Sequence, residues 1–298
     1  MRKHTSAAQE DKVLAGKTGE FLIGSDLPVA RLGFGAMRIT GKGIWGEPPD
    51  RAEAIRVLRR AVELGIDFID TADSYGPRVS EEIIAEALHP YPAGLVIATK
   101  GGFDRPGPDQ WVENGKPAHL KSACEGSLRR LRLDRIDLYQ LHRIDPKVPS
   151  ADQFGALRDL QAQGKIRHIG LSEVSVQQIQ QARMIVPIVS VQNRYSMTDR
   201  ASEDVLEYCE QEGIGFIPWF PLAAGRLSGA GGPVGGVAAQ LKATPSQVAL
   251  AWLLARSPVI LPIPGTSSVA HLEENVAAAD LKIDETKMRE LALVARAG

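Results

Sequence analysis

At 298 residues the chain is long enough for one large α/β barrel or two ordinary domains, and 44% hydrophobic with 24% charged residues is the profile of a globular protein able to bury a sizeable core. Thirty-five basic against thirty-six acidic residues leave a formal net charge of −1 and no basic block, so recognition of nucleic acid or of a membrane through a charged face has no support. No apolar run approaches the ~18 residues of a membrane-spanning helix. The two cysteines, Cys124 and Cys209, sit in helix-like segments, which argues against a disulfide framework and fits a cytoplasmic location.

Residues 1–18 read as a flexible polar tail with no secretory apolar stretch, and 19–298 as a single domain. In "EFLIGSDLPVARLGFGAM" two short apolar stretches flank "GSD", which predicts a hairpin leading into a strand near Arg31 to Met37. A helix follows in "DRAEAIRVLRRAVELG". Asp50 caps it with Glu53 three residues on, Ile55, Leu58 and Val62 share a face, and Gly65 takes the left-handed closing position. The same unit then repeats. "DFIDTA" precedes a helix near Val79 to Leu88, "GLVIATK" one near His119 to Leu131, and "RIDLYQLH" one near Ala151 to Gln163. "IRHIGLS" precedes Val176 to Met184, and "PIVSVQN" precedes Ala201 to Glu212. "GIGFIPWF" leads into a glycine-rich stretch, 223–236, read as a long loop, and then into "TPSQVALAWLLARS", where Thr244 caps and Pro245 suits the first helical position. "VILPIPGTSS" precedes "HLEENVAAA", and a helix near Asp284 to Ala295 closes the chain.

Eight strand-then-helix units in one series imply parallel strands with right-handed crossovers, an α/β fold of the (β/α)₈ TIM-barrel type with an N-terminal β-hairpin. Active sites of such barrels form at the C-terminal ends of the strands. In order, the predicted strands end in Met37 and Arg38, Asp70 with Tyr75 just beyond, Lys100, His142, Ser172 and Glu173, Gln192 and Asn193, Trp219 and Phe220, and Gly265 to Ser268.

Alone, each of Asp70, Tyr75, Lys100 and His142 has a bland reading as a cap, a rim residue or a packed side chain. At the ends of neighbouring strands they share one cavity, and the chemistry they can do together is restricted. A phenol has a pKa near ~10, too high for an efficient donor at neutral pH. A lysine ammonium beside it favours the phenolate and lowers that value, and an aspartate keeps the lysine charged and oriented. A histidine N–H then holds a carbonyl oxygen over the phenol. Such a set donates a proton to a carbonyl that receives a hydride, or takes one from an alcohol.

The motifs "RLGFGAM", "GIDFIDTADSYG", "IATK", "IDLYQLH", "GKIRHIGLSEVS", "VQN", "WFPLAAGRLSG" and "IPGTSSVAHLEEN" follow one another along nearly the whole chain. In this order they resemble the aldo-keto reductase superfamily. The resemblance implies a carbonyl reductase with Tyr75 as general acid, Lys100 and Asp70 tuning it, and His142 orienting a small-molecule carbonyl substrate. It implies NADPH across the barrel mouth, consistent with the lack of a G-x-G-x-x-G turn entering a helix. Ser172 and Gln192 would bind the carboxamide, Trp219 would stack on the ring, and the backbone of Leu222, Ala223 and Gly225 would cradle the pyrophosphate. Met37, Arg38, Phe220, Pro221 and Arg226 would lie beside the cofactor. Gly265, Thr266, Ser267, Ser268 and His271 would take the adenosine phosphate, with Glu274 and Asn275 near the adenine.

Two positions depart from the family. Glu173 stands where Asn is frequent and cannot donate an amide hydrogen bond. Gly265 and His271 stand where many members carry Lys or Arg for the 2′-phosphate, so NADPH is expected on the strength of hydroxyls and a helix N-terminus, with NADH the alternative. The substrate pocket is expected to include Met37, Trp45, Phe103 and Arg143. Arg143 hints at a carboxylate or phosphate on the substrate, against an ion pair with Asp145 or Glu173.

Other chemistries fit less well. A Schiff-base lysine must be uncharged, which Asp70 opposes. The six histidines show no i, i+4 pair for a metal, and "GRLSG" is not G-x-S-x-G. A cofactor-retaining regulatory protein, in the manner of potassium-channel β subunits, is the rival from outside enzymology. A monomer is the default.

Overall fold

The computed structural model describes residues 15–222 and 234–296. Strands β1 (Glu20–Ile23) and β2 (Leu27–Ala30) pair antiparallel, with Gly24 and Ser25 turning between them at positive φ. The main sheet is parallel and built from β3 (Phe34–Gly35), β4 (Phe68–Asp70), β5 (Val96–Gly101), β8 (Ile136–Leu141), β9 (Ile166–Ser172), β10 (Ser190–Gln192) and β11 (Gly215–Phe216), neighbours in that order. Between β5 and β8 a small hairpin, β6 (Phe103–Asp104) and β7 (Val112–Glu113), rises from the loop.

The ring closes through the segment 259–262. Phe216 N donates to Val259 O (2.8 Å), Leu261 N to Phe216 O (2.8 Å), and Gly33 N to Pro262 O (2.9 Å). Pro262 and Pro264 carry no N–H, so this eighth strand is short of ladder bonds and makes only a bridge with Phe216. Its approach to β3 explains the glycines of "RLGFGAM". A Cβ on Gly35 would lie 2.6 Å from Ile263 O and one on Gly33 3.2 Å from Ile263 Cγ2, with Phe68 O of β4 nearer still at 2.8 Å. The chain is a (β/α)₈ barrel.

Period two along the strands divides the molecule into an inside and an outside. Phe68, Val96, Ala98, Leu138, Ile217, Leu261 and Ile263 form one cluster in the barrel interior, and Ile23, Leu27 and Val29 of the hairpin plug it. Outward residues such as Tyr139, Leu141, Ile169 and Leu171 pack under the helices.

The helices are α1 (Arg51–Glu63), α2 (Val79–Leu88), α3 (Pro117–Leu131), α4 (Ser150–Ala162), α5 (Val176–Arg183), α6 (Glu203–Glu212), α7 (Gly235–Leu241), α8 (Pro245–Arg256), α9 (Val269–Val276) and α10 (Glu285–Arg296). Asp50 accepts from Glu53 N at the head of α1, and Thr244 makes a reciprocal box with Gln247 before Pro245 at the head of α8. On α1 the fully buried face is Ala54, Val57, Leu58 and Ala61; Ile55 and Val62 lie at its margin, half-buried, so the expected stripe is rotated by one position.

Two further expectations change. Residues 15–18, assigned to the polar tail, form a 3₁₀ turn whose Ala15 is buried and donates from N to Leu64 O (3.3 Å). The end of the glycine-rich stretch is helical, because Gly235 and Gly236 open α7 and Val237 and Ala238 bury against α8. Its earlier part, 223–233, falls outside the described residues. Both cysteines are free and buried, and burial pushes each thiol up to about 12. Among the described residues no helix is long and apolar enough to cross a membrane.

Candidate active site

The alternation that fills the barrel floor with apolar side chains puts polar ones at its top. Phe68 leads to Asp70 on β4, Val96 and Ala98 to Lys100 on β5, and Leu138 to Gln140 on β8 and then to His142 just past its end. Ser172 ends β9 and Gln192 ends β10. Tyr75 comes from the loop before α2, where Asp73 N donates to Lys100 O (3.1 Å) and ties that loop to β5.

Lys100 is fully buried, and its Nζ donates to Asp70 Oδ2 at 2.6 Å and to Thr71 O at 2.8 Å. The Tyr75 hydroxyl lies 3.5 Å from the same nitrogen. Asp70 Oδ1 accepts from Gln140 Nε2 and Gln192 Nε2, both at 2.9 Å. A charge pair out of water persists when the remaining lone pairs are satisfied in this way. Burial disfavours the ammonium, but Asp70 and Tyr75 outweigh it and hold Lys100 above its ordinary pKa.

For Tyr75 burial is the largest influence and raises the phenol above its ordinary value; Lys100 lowers it by less. The expected net lowering is therefore not found in this site: burial keeps the hydroxyl protonated, and Lys100 is the neighbour that favours release of its proton. His142 is held well below the usual imidazole range, first by burial and then by the cations Lys100, Arg143 and Arg105. Its Nδ1 is 3.2 Å from Ser74 Oγ. With the Ser74 hydroxyl donating there, the neutral ring carries its hydrogen on Nε2.

Aromatic edges wall the mouth. Phe103 lies 4.7 Å from the His142 ring centroid and 5.3 Å from that of Trp111, which is in turn 6.5 Å from Tyr75. Arg105 stacks 3.6 Å over Trp111 and donates to Ser74 O (2.6 Å) and Gln110 O (2.9 Å). Trp45 bridges to Gly76, and Arg105 lies 5.6 Å from its ring. Of the expected pocket residues, Trp45, Phe103 and Arg143 thus gather around His142 and Arg105. Trp111, Arg105, Ser74 and Gln140 join them without having been singled out in the sequence. Gln140 carried a readable signal, a polar residue two places before His142 and so on the same, inward-facing alternation of the strand.

Across the mouth, Ser172 Oγ accepts from Arg143 Nη1 (3.0 Å). Glu173, at positive φ, has a role that composition did not give. Its Oε1 accepts from the Trp219 indole Nε1 (2.5 Å) and from Arg194 N (2.6 Å), so it pins the indole. Phe220 packs edge-on to Trp219 at 5.6 Å; Pro221 is buried and Leu222 half-buried. Ala223, Gly225 and Arg226 lie outside the described residues.

In the last loop Gly265 and Ser267 are exposed, while Thr266 is buried and accepts from Ser268 N at 3.1 Å. The first amide of α9, Val269 N, is already engaged by Glu53 Oε1 at 3.1 Å. Arg38, exposed, stands next to this loop: its Cγ is 3.5 Å from where a Cβ on Gly265 would lie. Half-buried Met37 precedes it on the same 3₁₀ turn. On α9, His271 is exposed, Glu274 half-buried and Asn275 buried. An aromatic face, hydroxyls and a cation along one rim suit a flat ligand bearing phosphate, and the buried Tyr–Lys–Asp set suits proton transfer beside it.

The profile of the Aldo/keto reductase family matches residues 31–295. An uncharacterised oxidoreductase of Schizosaccharomyces pombe is 52% identical over 96% of this chain and 93% of its own length. The pyridoxine 4-dehydrogenase of Escherichia coli is 45% identical over 90% of this chain and 96% of its own. Among solved structures, the glycerol dehydrogenase of Gluconobacter oxydans superposes with a TM-score of 0.85 at 26% identity, covering 93% of this chain and 95% of that one. An aldo/keto reductase of Klebsiella pneumoniae, crystallised with NADP and acetate, superposes with a TM-score of 0.78 at 27% identity over the same shares.

Proposed function

The chain belongs to the aldo/keto reductase family of oxidoreductases, and from that premise we propose that it interconverts an aldehyde or ketone with its alcohol using NADP(H), with Tyr75 as the proton donor. The observation that carries this reading is the protonated, buried Tyr75 hydroxyl 3.5 Å from the Lys100 ammonium, which Asp70 holds at 2.6 Å.

When bound, the nicotinamide supplies or accepts the hydride. The residues of the chain do the rest. His142, neutral, offers an N–H to the carbonyl oxygen and fixes it near the phenol. Tyr75 releases its proton as negative charge grows on that oxygen, and Lys100 steadies the phenolate left behind. The aromatic wall of Phe103 and Trp111 keeps water from the reacting carbon. Trp219, held by Glu173, gives a flat face for the pyridine ring, and Ser172 a hydroxyl for its carboxamide. Arg38 beside Gly265, with Ser267 and Ser268, offers charge and hydroxyls to phosphate. This donor set fits NADPH and makes NADH the weaker alternative, and the neighbours crystallised with NADP and NADPH support the same choice.

The Escherichia coli relative named a pyridoxine 4-dehydrogenase makes pyridoxine the first alcohol to test and pyridoxal the first aldehyde. The experiment follows NADPH consumption with pyridoxal and a panel of aliphatic and aromatic aldehydes. Turnover on at least one carbonyl is expected. Tight NADPH binding with no turnover on any of them contradicts the proposal.

A further inference from the structure

Arg143 follows His142 at the end of β8, and its guanidinium is half-buried in the mouth. Nη1 has two hydrogens and spends both, on His142 O (2.5 Å) and on Ser172 Oγ (3.0 Å). The opposite edge, Nε and Nη2, has no partner among the described residues. That edge is the fork that grips a carboxylate or phosphate with two parallel bonds.

The two acidic groups that the sequence offers as partners are engaged elsewhere. Asp145 accepts from Gly115 N (3.0 Å) and Lys147 N (2.8 Å). Glu173 accepts from the Trp219 indole and from Arg194 N. The other cation of the mouth, Arg105, is spent: it donates to the carbonyls of Gly43, Ile44, Ser74 and Gln110 and lies flat on Trp111. Among the described residues packed against Phe103 and His142, Arg143 keeps an open fork, 5.7 Å from the Phe103 ring centroid and close enough to Tyr75 for its charge to be felt by the phenol. A half-buried guanidinium edge without an acceptor is costly, and an anion brought by the ligand offsets that cost.

On the carbonyl-reductase reading above, we infer that the Nε–Nη2 edge of Arg143 is a substrate subsite for an oxyanion, a carboxylate or phosphate borne by the carbonyl compound itself. It is separate from the place of the reacting oxygen, which lies between Tyr75 and His142, and it makes Arg143 a determinant of specificity.

The test compares kcat/KM within matched pairs at saturating NADPH: 3- and 4-carboxybenzaldehyde against their methyl esters, and glyceraldehyde 3-phosphate against glyceraldehyde. The anionic member of at least one pair is expected to be preferred by about 10- to 100-fold, the range for a charge-assisted hydrogen-bonded contact. The pair that shows the preference tells carboxylate from phosphate. Arg143→Met should bring the ratio to within about threefold of unity, while Arg143→Lys, which keeps charge without the fork, should retain part of it. Arg143→Gln serves in place of the methionine variant if that one does not fold. Equal kcat/KM within every pair, or a preference that survives in the neutral variants, overturns the subsite and leaves the reductase reading standing. No turnover by the wild type on any pair overturns the subsite alone if pyridoxal or another aldehyde of the panel is reduced, and both readings if none is.

Discussion

Asp70→Asn tests the buried charge pair at the centre of the site. Asp70 and Lys100 are 2% and 0% exposed, and the carboxylate receives one ammonium and two amide donors. An asparagine of the same size strands the ammonium without a counter-charge and turns an NH₂ towards groups that are already donors. Removing one partner of a buried pair costs about 3–5 kcal/mol. In a chain of this length roughly 2 °C of Tm accompanies each kcal/mol, which gives a fall of roughly 6–10 °C. Lys100→Met removes the stranded charge, so the double variant should lose about 1–3 kcal/mol less than the sum of the singles. Lys100 is held above its ordinary pKa, so the pair's contribution is complete below the unfolded value of ~10.4 and fades only as pH rises through the higher folded value. The loss should therefore be the same at about pH 7 and pH 9. Urea denaturation of the four proteins, followed by circular dichroism, measures all of this. An Asp70→Asn loss below about 1 kcal/mol, or strict additivity of the two substitutions, refutes the reasoning.

Asp73 is half-buried, with its Oδ1 out of water and lacking a hydrogen-bond partner, and burial together with Glu81 pushes its carboxyl up to about 8. The folded state thus binds a proton that the unfolded state has released above ~4, so stability falls as pH rises between ~4 and about 8. Asp73→Asn should be more stable than wild type by about 1–3 kcal/mol above that window and nearly equal below it; a variant less stable at the alkaline end argues against this. Glu173→Ala releases the Trp219 indole and should raise the Kd for NADPH roughly tenfold in a fluorescence titration, and an unchanged Kd removes Glu173 from the site. Burial opposes ionisation of Glu203, but hydrogen bonds from Arg200, Arg256 and Tyr195 hold it down to about 2. Its contribution is present above the unfolded ~4.3 and lost as pH falls towards about 2. Glu203→Gln should flatten the acid limb of a stability–pH curve, and an unaltered limb contradicts that.

The barrel was legible because the units repeat one local grammar, a short apolar run and then an amphipathic stretch, with side-chain caps at Asp50, Ser175 and Thr244 marking some of the helix starts. Asp70, Lys100 and His142 could be brought together for a related reason. A two-residue period fixes which strand-end side chains turn inward, and the barrel makes those ends neighbours. Trp111 and Arg105 stand on the β6–β7 excursion, where no periodicity operates, and only tertiary closure brings them beside His142. The indole partner of Glu173 comes from the segment just after β11, 46 residues away, beyond any local pattern. Tyr75 shows a different limit. Residue types predicted the pull of Lys100 on the phenol, but not that burial would exceed it.

The central claim is that the Tyr75 hydroxyl delivers the proton, and Tyr75→Phe isolates it, because the ring stays and only the oxygen goes. With NADPH and any carbonyl the wild type reduces, kcat should fall by at least about 100-fold while the Kd for NADPH stays within about twofold of wild type. Turnover retained above about a tenth of wild type would contradict the account, since a phenyl ring has no proton to give.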